Sequence, residues 1–349
     1  MPLTIADRLQ IAARVLLTGR LPANKQPANL RTDIPAISPE EVAEIKTFFP
    51  ADKFFIYGHA RSGTTLLARL VRLHPDVHCN YQAHFFTRAP LLQALVADKE
   101  VGAWLSRRSN RWNHGRDLSP VVLRAAADYI MEREARPLGK RIVGDKSPSS
   151  LLDGEAVGLM HNIYPDGSLV FIVRDGRDTA LSHRFQAFID NPQSLSAEDA
   201  SIRQAFASDP EPFLKGQRSV FSERGIRLAA QGWVRNLAET DRAGRDLYGE
   251  RYFPLRYEDL LADPYSAMSR LWVFLGAGGQ GEGKLEAAIR DEMGQNPDAD
   301  WQQQKAQEIA SPLQKGKQGS WCEMFTGRDR QIFQEVAGQT LAEWGYESC

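Results

Sequence analysis

The stretch Phe54-Phe-Ile-Tyr-Gly58-His-Ala-Arg61-Ser-Gly63-Thr-Thr-Leu-Leu67 decides the fold. Four apolar or aromatic residues predict a buried strand. A turn bracketed by two glycines follows, and an apolar-periodic helix starts near Gly63. A strand–turn–helix unit of this kind aims backbone N–H groups and the positive end of the helix dipole at one point, which suits a phosphate. Gly58 and Gly63 stand at the G-x-x-x-x-G spacing of a phosphate-cradling loop. The lysine expected after the second glycine is replaced by Thr64, and a cation comes earlier, at Arg61. The loop therefore reads as holding a phosphate-like group other than the β/γ end of a triphosphate.

Ser168-Leu-Val-Phe-Ile-Val173 is a second buried-strand run, followed by Arg174-Asp-Gly-Arg-Asp-Thr-Ala-Leu-Ser182. Arg174 falls at the carboxyl end of the strand and Ser182 on the first turns of the next helix. In a parallel sheet these positions share the edge where ligands bind. A planar guanidinium and a hydroxyl there can grip a second phosphate. Taken alone, Arg174 would read as a surface ion pair with Asp175 or Asp178, but its place after a buried strand favours the ligand.

These segments resemble the sulfotransferases that use 3′-phosphoadenosine 5′-phosphosulfate (PAPS). Arg61-Ser-Gly-Thr-Thr65 is similar to that family's 5′-phosphosulfate loop, and Arg174 to Ser182 to its 3′-phosphate segment. Tyr257-Glu-Asp-Leu260 and Lys315-Gly-Lys-Gln-Gly-Ser-Trp321, with Phe325-Thr326, resemble two later landmarks in the right order. The resemblance implies a P-loop-like α/β domain with a central parallel sheet flanked by helices. It implies sulfuryl transfer to an alcohol or phenol by in-line displacement, without a metal. It assigns the donor to Arg61, Ser62, Gly63, Thr64, Thr65, Arg174, Ser182, Tyr257, Lys315 and Gly316, with Arg61 also serving the chemistry. For Ser62 and Thr64, helix capping is the ordinary reading and is compatible with anion binding.

Ile142-Val-Gly-Asp-Lys146-Ser-Pro148 reads as a strand and turn at the same sheet edge. It resembles the catalytic-lysine segment of the tyrosylprotein branch, which assigns to Lys146 the charge developing on the bridging oxygen. Pro148 stands where cytosolic members carry a histidine base. His74-Pro-Asp-Val-His-Cys79 resembles the segment ahead of the tyrosylprotein branch's glutamate base, but Gln82 stands near that glutamate's place. His84 is the nearest titratable group with a suitable ordinary pKa, and His59 and Asp145 are the reserves. The cytosolic adenine-stacking tryptophan is Leu66 here, which leaves Tyr257 or Trp321 to pack on adenine.

At 349 residues, 42% hydrophobic and 25% charged, the chain has the composition of an ordinary globular protein. Its net charge of −1 supplies no global field toward nucleic acid. Cys79, Cys322 and Cys349 show no framework or metal-ligand spacing and read as free thiols. No apolar run is long enough to span a membrane. The N-terminus lacks a signal-peptide core, which predicts a cytoplasmic protein. Thr4 to Thr18 reads as an amphipathic helix, packing on the main domain or touching a membrane surface.

From Lys53 onward strands alternate with helices, predicting a parallel sheet. Strands are expected near 53–57, 77–80, 141–144, 168–173 and 251–255. Helices are expected near 63–73, 89–106, 120–135, 153–163, 177–189, 225–247, 259–275 and 327–343. Residues 1–50 read as an N-terminal helical arm and 51–349 as the catalytic domain, with 191–224 as a lid or substrate insertion. The cation-and-tryptophan run Trp104 to Arg116 reads either as part of an acceptor pocket or as a solvated helix end. Two other functions stay open, a P-loop kinase or NTPase and a non-catalytic nucleotide-binding module. The acceptor is a small molecule, lipid, glycan, carrier-bound group or peptide hydroxyl, and the oligomeric state is open.

Overall fold

The computed structural model describes residues 31, 33–87, 92–278, 282–295, 306–313 and 318–346. The expected N-terminal helix, Lys315, Gly316 and Cys349 lie outside them. The chain divides into two compact units, Met1–Pro35 with Gln93–Ser119, and Ala36–Leu92 with Pro120–Cys349.

The larger unit carries five parallel strands, β1 (Asp52–Tyr57), β2 (Val77–Tyr81), β3 (Ile142–Lys146), β4 (Ser168–Val173) and β5 (Tyr252–Arg256). Their order is β2-β3-β1-β4-β5. β1 is central and buried on both faces, as a parallel sheet requires. Phe54 and Ile56 face a core formed with Leu67, Leu70, Val71, Met268, Leu271 and Trp272. On the other face Phe55 meets Phe86 and Tyr164 edge-on at 5.8 and 4.9 Å. Gly144 pairs with Phe54 in the register, and a Cβ there would lie 2.5 Å from the Phe54 ring.

All five strands fall within a residue or two of the expected positions. The helices differ from expectation where an aspartate intervenes. The run expected at 259–275 is two helices, Tyr257–Ala262 and Pro264–Phe274, because Pro264 cannot continue the first and Asp263 caps the second. Likewise Asp98 caps Lys99–Ser106 and separates it from Ala94–Ala97. Within residues 191–224 the chain forms helices Ala197–Ser208 and Glu211–Leu214, and Phe206 and Phe213 are buried. A helix missed by periodicity, Glu282–Gly294, sends Ile289 into the main core.

In the smaller unit Arg31 donates its amide to Ala97 O at 2.9 Å and its guanidinium pairs with Asp117. Cys79 is a buried free thiol, whereas Cys322 is disulfide-bonded, which corrects the expectation of free thiols throughout.

Candidate functional site

The sheet order creates a topological switch between β1 and β4. The chain leaves β1 toward β2 on one side, and leaves β4 toward β5 on the other. The crevice outside the carboxyl ends of two such strands is the place for a ligand in an open α/β sheet. The loop Gly58–Gly63 follows β1, and helix Gly176–Asp190 follows β4.

The β1 loop is shaped for an anion. Gly63 adopts φ +87°, and a Cβ there would lie 2.2 Å from Tyr257 Cδ2. Only glycine fits that close approach. Helix Thr64–Val71 begins at Gly63 with no side-chain cap. The capping expected of Ser62 and Thr64 is therefore absent, and the helix's first amides carry no side-chain cap. Ser62 Oγ is buried and has no hydrogen-bond partner among the described residues. Arg61 also sits at positive φ, +78°. Its Nε donates to Ser182 Oγ at 3.0 Å, and its carbonyl accepts from Arg174 Nη1 at 3.3 Å. Two motifs 121 residues apart thus meet through one arginine.

Arg174 is further fixed by Asp178 at 3.8 Å and lies over the Tyr257 ring at 5.1 Å. Asp178 accepts from the amides of Gly319 (2.7 Å) and Trp321 (3.2 Å), bringing the flank of the late segment to the same side. Trp321 is buried with the Arg177 guanidinium 3.6 Å over its ring, so one of its faces is already covered. Glu258, of the Tyr257–Leu260 motif, accepts from the Asp175 amide and the Tyr346 hydroxyl. Sequence spacing signals neither the Asp178 nor the Glu258 bridge, because each joins segments more than eighty residues apart.

Lys146 ends β3, next to β1. Its Nζ donates to Thr65 Oγ1 at 3.2 Å and lies 5.3 Å from the Tyr81 ring centroid. Tyr81 also lines a cavity of about 270 Å³ beyond β2, with Arg72, His78, Asn80, Ile130 and Arg133. Asp145 accepts from the Ala83 amide at 3.1 Å and from the Ser147 hydroxyl. Burial pushes its carboxyl up to about 6.

The candidate bases differ in setting. His84 is buried at φ +53°, its amide donating to Ser147 Oγ at 2.8 Å and its Nδ1 bonded to Thr87 Oγ1 at 2.9 Å. His59 is half-buried inside the β1 loop. Its Nδ1 donates to Ala60 O at 2.8 Å, which leaves Nε2 as the acceptor nitrogen. Its ring meets His183 edge-on at 5.9 Å. Burial pushes the His59 imidazole down to about 4. Among the described residues no group of three or more His, Cys, Asp or Glu could hold a metal ion. No described helix is long and apolar enough to cross a membrane.

The fold is a five-stranded parallel α/β sheet with a glycine-bracketed turn after β1 that lacks the loop lysine. A profile of the sulfotransferase family matches residues 53–278. The chain belongs to the sulfotransferase family. It is 25% identical over 226 residues to the protein-tyrosine sulfotransferase of Drosophila melanogaster, covering 63% of this chain and 37% of that protein. It is 26% identical over 282 residues to heparan sulfate glucosamine 3-O-sulfotransferase 6 of Mus musculus, covering 78% and 65%. The chain thus spans between about a third and two thirds of these relatives. The solved mouse sulfotransferase SULT7A1, complexed with PAP, aligns over 89% of this chain and 95% of its own at 19% identity, with a TM-score of 0.47.

Proposed function

We propose that the protein transfers a sulfuryl group from PAPS to a hydroxyl acceptor. The observation that carries this is the Arg61 bridge. Its side chain reaches Ser182 while its carbonyl holds Arg174, so two anion grips share one rim. Their joint use fits a nucleotide phosphorylated at both ends. The β1 loop, from Arg61 to Thr65, would hold the 5′-phosphosulfate with the first amides of its helix and the Ser62, Thr64 and Thr65 hydroxyls. Arg174 and Ser182, with Lys315 and Gly316, would hold the 3′-phosphate. Tyr257, pressed flat against Gly63 and under Arg174, would support both grips from below.

In this reading Lys146 stabilises charge on the oxygen leaving sulfur, and its bond to Thr65 keeps the ammonium at the donor loop. Sulfate carries less charge than a terminal phosphate, so Lys146 and Arg61 suffice without a metal. The acceptor enters past Tyr81, and its class is a small-molecule, lipid, glycan, carrier-bound or peptide hydroxyl. For the proton acceptor we place His59 ahead of His84. His59 lies in the donor loop with its tautomer set, while His84 is tied by both ring and amide into the loop after β2.

The test is transfer from labelled PAPS to a panel of alcohols and phenols, with and without magnesium. The expected result is magnesium-independent transfer without ATP turnover. Lys146→Ala should lower it roughly 10²–10³-fold with nucleotide binding retained. A His59 base predicts an acid limb in the rate profile near the imidazole's value of about 4, because protonation below it removes the base. An Asp145 base would put that limb near 6. ATP hydrolysis or nucleotide binding without transfer to any acceptor would overturn the reading.

A further inference from the structure

The run between Val101 and Arg116 holds four arginines and no carboxylate, in a chain whose net charge is −1. It also holds two tryptophans that the chemistry above does not use. Trp104 and Trp112 pack on each other with ring centroids 4.8 Å apart and an interplanar angle of 33°. Despite that contact they remain 57% and 47% exposed. Val101, one turn before Trp104 on helix Lys99–Ser106, is exposed as well, as is Leu95.

The display is built. Asn113 is fully buried at the centre of the loop. Its side-chain amide donates to Leu105 O (3.1 Å) and Arg107 O (3.2 Å), and its Oδ1 accepts from the Gly115 amide at 3.0 Å. Asn110 Nδ2 donates to Trp104 O at 2.9 Å. His114 and Gly115 take left-handed conformations, φ +52° and +74°, to close the turn. A buried polar scaffold thus fixes two indoles at the surface, where bare apolar area is unfavourable unless something covers it. Arg107, Arg108 and Arg111 lie between them in sequence, are exposed, and make no ion pair among the described residues.

The two rings already occupy each other's facing surfaces, so no sugar or aromatic ring fits between them. What they present is edges and outer faces, on a segment that also exposes three arginines and Val101. We infer that this patch docks on an anionic lipid bilayer, with Trp104 and Trp112 in the headgroup region and the three arginines on lipid phosphates. Indoles favour that boundary because one part of the ring system is apolar and the N–H is polar. Arginine stems can lie along the apolar layer while their heads stay with phosphate. The inference does not depend on the proposed activity.

The test is co-sedimentation of the full chain with phosphatidylcholine vesicles, with and without phosphatidylglycerol. Binding is expected only to the anionic vesicles, and it should weaken as salt rises. The variant Arg107→Gln/Arg108→Gln/Arg111→Gln should lose roughly a hundredfold in vesicle affinity, at about fivefold per cation. The independent variant Trp104→Ser/Trp112→Ser should also lose binding. Far-UV circular dichroism and the urea-unfolding midpoint should be unchanged in both, which reports folding. Three results would overturn the inference: no binding of the wild-type chain to anionic vesicles, binding that survives both variants, or retention by immobilised polyglutamate with none by vesicles.

Discussion

At the scale of single residues, Arg61 organises the site. Its positive φ is uncommon for a side-chain-bearing residue, and the strain is held by bonds to Ser182 and Arg174. The residue types of the β1 loop were legible, because glycines and hydroxyls at fixed spacing have few other uses. Asp178 and Ser147 were not, because their role depends on partners brought in by the fold. Asp145 makes a prediction at this scale. Its folded value of about 6 exceeds the unfolded 3.8. Below about pH 4 the carboxyl is protonated in both states, and its contribution is complete. Between about pH 4 and 6 the unfolded chain loses its proton first, so stability falls by up to about 3 kcal/mol. Denaturant melts across that range should show the fall in the wild type, and Asp145→Asn should flatten it. An equal fall in the variant would assign it to other groups.

At the scale of elements, the strands were readable because β1 and β4 are buried on both faces and carry continuous Val, Ile, Leu and Phe runs. Helix ends were less readable. Asp98 and Asp263 lie inside runs that look continuous by periodicity, and only their capping bonds show that a new helix starts there. The link between helix Gly176–Asp190 and helix Ser320–Met324 rests on Asp178, which satisfies the amides of Gly319 and Trp321. Asp178→Ala leaves both amides without that acceptor and removes the carboxylate 3.8 Å from Arg174. The expected loss is about 2–4 kcal/mol in urea unfolding, with faster proteolysis near Gly319. Unchanged stability would mean that the late segment is held elsewhere.

At the scale of the whole sheet, the two edges have separate tasks. The carboxyl edge carries the loop after β1, the start of helix Gly176–Asp190 and Lys146. The opposite edge holds a buried ionic cluster that sequence reading took for an ordinary strand start. There Lys53 Nζ lies 2.8 Å from Glu132 and 3.4 Å from Asp128, all three side chains almost wholly buried. Arg124 joins through Asp128 and Asp166. A lysine opening a strand gives no sequence sign of carboxylates about eighty residues away. Lys53→Met removes the ammonium beside two buried carboxylates and should cost about 3–5 kcal/mol, while the folded fraction keeps its nucleotide affinity. A change of nucleotide affinity matching the stability loss would contradict the separation of the edges.

The central claim is that the β1 loop and the start of helix Gly176–Asp190 grip one nucleotide together. Calorimetric titration with adenosine 3′,5′-bisphosphate tests it most directly. The wild type should bind one molecule per chain, and Gly63→Ala, which drives a Cβ into Tyr257, should abolish binding. Arg174→Ala should weaken that nucleotide strongly while leaving adenosine 5′-phosphate nearly unaffected. No heat from the wild type, or equal loss of both nucleotides in Arg174→Ala, would contradict the account.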